Sequence, residues 1–303
     1  MKTFLKKEKF FRVCIMQINY ALILSAGLGT RMGEIGKVIP KVLWPIYFKT
    51  LLELQIRYCE DLGIQNIYIN SHYLHNEIVD FLNESGLGNR VIVLHEEKLL
   101  DSGGAIHNLA IRPEVKYQGN LLIVNGDQFM FFEKAIWEKA LLKLSACRAV
   151  LFGIKVSKDE SYSETIIEND CLVAIKKNLE KNRDYITYSG LGLLRLDGLQ
   201  EAPGASRFFE TVANYKEEKI EMITPDDFEY WDFGTSDVYA KNIFKLYPDR
   251  GVENKMIHFL KKHEAFFGDL KKFVDRDQRS IDLTKEAEFR IHSIGAKGIF
   301  QNI

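Results

Sequence analysis

Short apolar runs recur along the first half of this chain, each closing on small or polar residues and each followed by a helix-like stretch. Residues 20–25 (YALILS) are continuously apolar and lead into glycines, as a strand buried on both faces does. Residues 67–70 read as a second strand, 91–94 as a third and 121–124 as a fourth. Between them, residues 50–62 carry Leu51, Leu54, Ile56 and Tyr58 for a helix, with Gly63 as its C-cap, and 76–82 and 105–110 read as further helices. Strands alternating with helices at this spacing imply parallel crossovers. The expected fold class is therefore α/β: a Rossmann-like, mixed but mainly parallel sheet with helices on both faces. Ligands of such sheets sit beyond the carboxyl ends of the strands. Three segments fall there: the loop after Ser25, Asn70-Ser71-His72, and Asn125-Gly126-Asp127.

From residue 150 to 196 the pattern turns β-rich, with strands expected at 150–156, 165–167, 172–175 and 188–194. A helix is expected over 207–216, followed by Tyr230-Trp231-Asp232-Phe233-Gly234-Thr235. The chain divides into a basic N-terminal extension (1–19), a main domain (20–248) and a short, mainly helical C-terminal extension (249–303). The extension reads as helical to about residue 275, with a strand-like piece at 289–294, and either packs on the core or offers a homo-oligomer contact.

Residues 1–19 hold five basic side chains but no sustained apolar region and no small-residue cleavage site, which argues against secretion; Met16 is an alternative start. The apolar stretch 13–24 is broken by Gln17 and Asn19 and is too short to span a bilayer. Forty-one basic side chains balance forty-two acidic ones, unlike a general nucleic-acid binder, which needs clustered Lys and Arg. Cys14, Cys59, Cys147 and Cys171 are scattered without a C-x-x-C pair, as in a reducing cytosol. The expectation is a cytoplasmic protein with neither nucleic acid nor membrane as partner.

Two segments carry chemistry. Ser25-Ala26-Gly27-Leu28-Gly29-Thr30-Arg31-Met32 follows a buried strand, where glycines let backbone N–H groups approach a phosphate and Arg31 adds a bidentate positive partner. No Gly-Lys-Ser/Thr ends the loop, so it is not a P-loop. Met32 at the third glycine position makes it a poor dinucleotide fingerprint. Pro40-Lys41-Val42-Leu43-Trp44-Pro45 holds a lysine between prolines, which aims its ammonium with little entropy left to lose.

Together these segments resemble the sugar-1-phosphate nucleotidyltransferase family, whose signature L-x-x-G-x-G-T-R-[LM] is followed by P-K-x-L-x-P. Further matches come in family order: Asp101-Ser102-Gly103-Gly104-Ala105, Asn125-Gly126-Asp127, Tyr188-Ser189-Gly190-Leu191 and Trp231-Asp232-Phe233-Gly234-Thr235. The likeness runs from about residue 20 to 242. It implies a nucleotide-diphospho-sugar transferase fold and an NTP and a sugar 1-phosphate as substrates. By resemblance, Asp127 and Asp232 would hold Mg²⁺, Arg31 would clamp the β- and γ-phosphates, and Lys41 would bridge the α-phosphate and the sugar phosphate. Ala26, Gly27, Gly29, Thr30, Gly104 and Asn125 would contact the nucleotide, and Asn70, Ser189 and Gly190 would bind substrate, the latter two in the segment lining the sugar pocket. The nucleophile is already an anion, so no general base is required.

Departures from the family pattern are Gly33-Glu34-Ile35-Gly36-Lys37 where P-L-T is usual, Asp101-Ser102 in the base turn, and the lack of C-terminal hexapeptide repeats. The nearest branches are the N-acetylmuramate-1-phosphate uridylyltransferases and the heptose-1-phosphate guanylyltransferases, with Ser189-Gly190 leaning to UTP. A catalytically inactive regulatory or nucleotide-sugar-binding homologue is the alternative. A nucleotide-dependent oxidoreductase would need an acidic residue where the second strand ends in Asn70. His72, His75, His95 and His107 lack metal-site spacing and are expected to be satisfied or solvated.

Overall fold

The computed structural model describes residues 17–29, 35–177, 182–246 and 254–265. The expected strand–helix repeat is there, most elements running a little beyond their apolar runs and the first strand and first helix stopping slightly short of theirs. Strand β1 (Tyr20–Leu24) leads through a hairpin of β2 (Pro45–Ile46) and β3 (Lys49–Thr50) into helix α1 (Leu51–Asp61). Then follow β4 (Asn66–Ser71), α2 (His75–Glu84), β5 (Val91–His95), α3 (Asp101–Ala110) and β6 (Asn120–Asn125). The next stretch holds β7 (Gln128–Phe132), α4 (Lys134–Leu144), β8 (Ala149–Val156), β9 (Ser163–Glu168), β10 (Cys171–Lys177) and β11 (Tyr185–Arg195). The described chain closes with α5 (Phe208–Thr211), β12 (Ile220–Ile223), β13 (Phe228–Asp232), α6 (Ser236–Lys245) and α7 (Lys255–Lys262).

Nine strands form one sheet in the order β5-β4-β1-β6-β11-β8-β12-β10-β9. The pairs β4/β5, β1/β4, β1/β6 and β8/β12 are parallel, and those made by β11 and β10 are antiparallel. Only β11 and β10 therefore run against the rest, so the sheet is mixed and mostly parallel, as expected. Side chains of β1 alternate between two cores: Ala21 and Ile23 join the cluster with α1, α2, α4 and α7, and Leu22 the cluster with α3 and α5. Leu22 is fully buried. Truncating such a side chain to Ala typically costs about 2–5 kcal/mol.

Local signals explain where elements start and stop. The Thr50 hydroxyl caps α1 by accepting from Glu53 N at 3.1 Å. At the other end Ile64 N donates to Cys59 O and Gly63 N to Glu60 O, with Gly63 at φ +81°. This is a Schellman termination, and it gives Gly63 the role its sequence position implied. The helix expected over 207–216 is only four residues long. Thr211 and Val212 are β-branched, and Asn214 Oδ1 takes the Lys216 N–H at 3.2 Å, offering the backbone a turn in place of a helical bond.

Helix α7 lies within 249–303, and its Met256, Ile257, Phe259 and Leu260 belong to the same core cluster as α1 and β7. Residues 1–16, including Met16, and 266–303, including the strand-like piece at 289–294, lie outside the described residues. Among the described residues no helix is long and apolar enough to cross a membrane.

Candidate active site

The carboxyl ends of β1, β4 and β6 lie side by side, because Leu24 pairs with Asn70 on one edge and Asn125 on the other. On the β4 side, polar groups satisfy one another. Ser25 N donates to Asn70 Oδ1 at 2.7 Å, the Ser25 hydroxyl donates to Asn70 O, and Asn70 Nδ2 donates to Glu96 Oε1 at 2.8 Å. The second oxygen, Glu96 Oε2, accepts from Leu100 N at 2.9 Å, at the entry to α3. Glu96 and Asn70 are both buried, so these bonds replace water that the two side chains cannot reach.

On the β6 side stand the charges. Lys41 Nζ donates to Asp127 Oδ2 in an ion pair whose side chains keep 15% and 17% of their exposure. Asp127 sits in the two-residue link between β6 and β7, and Asp232 ends β13. The β7/β13 ribbon registers Asp232 opposite Gln128, and Phe233 N donates to Asp127 O at 2.9 Å. A Cβ placed on Gly234 would lie 2.6 Å from Asp232 Oδ1 and 3.5 Å from Asp127 Oδ2, so both carboxylates face one small space. Asp232 Oδ1 accepts from Gly234 N at 2.6 Å, and Oδ2 accepts from the Tyr162 hydroxyl at 3.0 Å and from Gln128 Nε2 at 3.4 Å. Burial first, then Asp232, holds the Tyr230 phenol far above its ordinary pKa, with Tyr162, Asp127 and Tyr188 adding to the rise. Beneath the link, the buried Gln55 amide donates to the carbonyls of Asn125 (3.2 Å) and Gln128.

Of the residues expected from sequence, Asn70, Asn125, Asp127, Lys41, Gly190 and Asp232 come together at this end of the sheet. Asn125 Nδ2 donates to Gln128 Oε1 at 2.6 Å, and Gly190 lies against both; at φ +87°, a Cβ there would collide with the Asn125 amide. Ala26, Gly27 and Gly29 form the described part of the loop after β1, whereas Thr30 and Arg31 lie outside the described residues.

Three of the expected residues have their polar groups engaged within the protein. The Ser189 hydroxyl is buried and donates to Phe152 O at 2.8 Å, bracing the irregular β11/β8 pairing. The Asn70 side chain is consumed by Ser25 and Glu96. Gly104 is covered by the segment ahead of α5: its N–H donates to Ser206 O at 3.1 Å, and a Cβ would collide with Gly204 O. The glycine is thus required by a chain crossing. Asp101 opens α3 at φ +59°, a conformation Asp tolerates, and turns its carboxylate onto Ser102 N at 2.6 Å.

Sequence reasoning missed Gln55, Glu96, Gln128 and Tyr162. Glutamines carry no motif, and Glu96 after an apolar strand reads as the first solvated residue. Of the histidines, His72 Nδ1 bonds to Glu96 O at 2.7 Å, while His75 bonds to Ser71 Oγ and stacks on His95 at 4.1 Å. Burial and then the adjacent His95 lower the His75 pKa.

Among the described residues no group of three or more His, Cys, Asp or Glu side chains is placed to hold a metal ion. A pair of carboxylates facing one space is nevertheless the donor set that suits Mg²⁺, which takes one or two carboxylates and completes its shell with phosphate oxygens and water. Asp127 and Asp232 fit that requirement.

Fold and site together define an α/β enzyme whose polar strand ends gather backbone donors on one side and a lysine with two carboxylates on the other. A model of the nucleotidyl transferase family matches residues 20–181, more than half of the chain, and the chain belongs to that family. It is 28% identical to a D-glycero-α-D-manno-heptose 1-phosphate guanylyltransferase of Campylobacter jejuni, over 72% of this chain and 96% of that protein. It is 32% identical to a bifunctional sugar-1-phosphate nucleotidylyltransferase/acetyltransferase of Sulfurisphaera tokodaii, over 49% of this chain but 34% of that protein's length. In fold it is similar to HddC from Yersinia pseudotuberculosis, crystallised in complex with GMP-PN, with TM-score 0.62 and 24% identity over 76% of this chain and all of that one.

Proposed function

We propose that this chain condenses an NTP with a sugar 1-phosphate, giving an NDP-sugar and pyrophosphate. An oxygen of the sugar phosphate attacks the α-phosphorus, the new P–O bond forms as the Pα–O–Pβ bond breaks in line, and pyrophosphate leaves. The observation that carries the reading is the convergence of Lys41, Asp127 and Asp232 at the mouth of β6. Lys41 would exchange Asp127 for the α-phosphate and the incoming sugar phosphate, holding two anions close enough to react. Asp127 and Asp232 would hold Mg²⁺, which supplies neutralisation of phosphate charge when bound. The loop after β1 would be the triphosphate cradle, a role for which its described part, Ala26 to Gly29, is placed at the end of β1 and for which Thr30 and Arg31 qualify by sequence. Gly190 and Tyr162 would bound the acceptor side. We expect such an enzyme to work in the cytoplasm, where its nucleotide substrates are at hand.

The base is the finer question. The lean to UTP rests on Ser189-Gly190, but the Ser189 hydroxyl is spent on Phe152 O, so that argument does not reach the base. Similarity over nearly the whole of a guanylyltransferase favours GTP with a heptose or related 1-phosphate, and UTP stands second. The test is pyrophosphate release from GTP, UTP, CTP, ATP and dTTP against a panel of sugar 1-phosphates, with Mg²⁺ and with EDTA. Release from one pair, abolished by EDTA, is the expected result. Nucleotide binding without release from any pair would favour the inactive, nucleotide-sugar-binding homologue.

A further inference from the structure

We infer that Glu96 is a positioning residue that fixes the nucleotide loop after β1 through a one-directional hydrogen-bond relay, and ties that loop to the start of α3. The inference rests on the proposed function for its kinetic consequence. The relay itself rests on geometry.

Three bonds run in series. Leu100 N donates to Glu96 Oε2 at 2.9 Å, Asn70 Nδ2 donates to Glu96 Oε1 at 2.8 Å, and Ser25 N donates to Asn70 Oδ1 at 2.7 Å. The two ends are backbone N–H groups, which can only donate. A backbone N–H at Ser25 forces the Asn70 oxygen to face it, so the Asn70 NH₂ must face Glu96. Glu96 must then accept at both of its terminal atoms. A carboxylate does this and an amide cannot. The remaining backbone of the relay is tied down as well. Glu96 N donates to Ser71 O at 2.7 Å, Glu96 O meets His72 Nδ1 at 2.7 Å, and the Ser25 hydroxyl is bonded to Asn70 O. Both Asn70 (4% exposed) and Glu96 (2%) are out of water's reach, so a wrongly oriented donor has no solvent to turn to.

Ser25 is the residue at which β1 becomes the glycine loop, and Leu100 immediately precedes Asp101 at the head of α3. One carboxylate therefore sets the exit direction of the phosphate loop and the seat of the turn beside it. Its value to the reaction would be ground-state order: a loop held ready binds the NTP without first losing entropy. The relay touches no reacting atom.

The direction of the relay supplies its test. In Glu96→Gln one of the two donors faces an NH₂, and flipping either amide only passes the clash along to Ser25 N–H or Leu100 N–H. In Asn70→Asp the new carboxylate faces Glu96. In the double variant N70D/E96Q the polarity is exchanged. The introduced amide at position 96 donates to the introduced carboxylate at position 70 and accepts from Leu100 N. That carboxylate still accepts from Ser25 N–H, so every bond returns with the net charge unchanged.

The expected result is a KM for the NTP raised about tenfold in each single variant, the loss of roughly one hydrogen bond, with kcat within about threefold of wild type. The double variant should return KM most of the way. Backbone amide exchange at Ser25 and Leu100, followed without any turnover, should quicken in the single variants and slow again in the double, while the middle of β1 stays protected. Should E96Q fail to fold, Asn70→Ala removes both the acceptor of Ser25 N–H and one donor to Glu96, leaves the Leu100 N–H bond in place, and should raise KM in the same way. Unchanged KM in the singles, or a double variant no better than the worse single, overturns the inference. A general loss of β1 protection with a proportional fall in kcat would mean a merely structural role. Wild-type protein that releases no pyrophosphate while the exchange pattern holds would sink the proposed function and leave the relay standing.

Discussion

The two sides of the site are built on opposite terms. On the β4 side the donors of Ser25, Asn70 and Leu100 already have their acceptors inside the protein, and the groups are neutral or shielded by burial. On the β6 side Lys41 and Asp127 are part-exposed and hold one another through a single ion pair, with Asp232 secured by a tyrosine, a glutamine and its own turn. The first side has nothing to gain from rearranging when a ligand arrives. The second can trade its internal partners for phosphate and metal at little cost, because the ion pair it gives up is partly screened. On the proposed function, order is kept where the substrate would be received, and exchangeable charge where bonds would change.

The largest break in this comparison should come from the exchangeable side. Asp127→Asn should keep the fold and lower turnover by about a hundredfold or more, the scale of losing one electrostatic stabiliser. Steady-state pyrophosphate release beside a thermal melt checks it, and near-normal activity would remove Asp127 from the metal site. A middle effect is expected where the sides meet. Gly190→Ala would drive a methyl into Asn125 and Gln128 from a backbone at φ +87°, costing about 1–3 kcal/mol in urea unfolding and slowing turnover as the Asn125–Gln128 contact shifts.

The smallest effect belongs to a charge pair with no part in the site. Asp61 accepts from Lys262 at 2.7 Å and from His263 at 2.9 Å, clipping the end of α7 to α1. Burial pushes the Asp61 pKa up, but the bonds from Lys262 and His263 outweigh it and hold the carboxyl below its ordinary value. The stabilisation is thus present above the ordinary carboxylate pKa and is lost as pH falls through the lower folded one. Asp61→Asn should lower the melting temperature by about 1–3 °C at neutral pH. That difference should shrink on acidification, with kcat and KM untouched. A kinetic effect would mean that α7 is coupled to the site after all.

The parallel half of the sheet was legible because each of its strands is a local apolar run closed by turn residues. Strand β7 was not. Only Gly126 and Asp127 separate it from β6, and its partner β13 lies about a hundred residues on, so no window of sequence holds the pair. Helices α4 and α6 and strand β12 were also missed: β12 is only four residues long, and the apolar residues of Lys134–Leu144 are interleaved with charge, with only Ala140 and Leu144 buried. At the site, the motifs carried Lys41, Asn125, Asp127 and Asp232, because their chemistry shows in the residue type. Glu96 and Gln55 stayed hidden because their work is done by orientation, which only the folded backbone defines. Gly103 and Gly104 were legible as glycines, but the reason for them, Gly204 and Ser206 crossing overhead, is a long-range fact.

The β7/β13 ribbon makes the separation of the two carboxylates a property of strand register, read off like a vernier from the pairing of Asp232 with Gln128. A single residue inserted within either strand would shift one carboxylate by about 3.3 Å and turn it to the opposite face of the ribbon. The same residue inserted in an exposed turn between the two strands would leave the scale unmoved. Between residues 133 and 227 it is therefore the exposed turns, such as Asn169-Asp170 between β9 and β10, that can lengthen without moving either carboxylate.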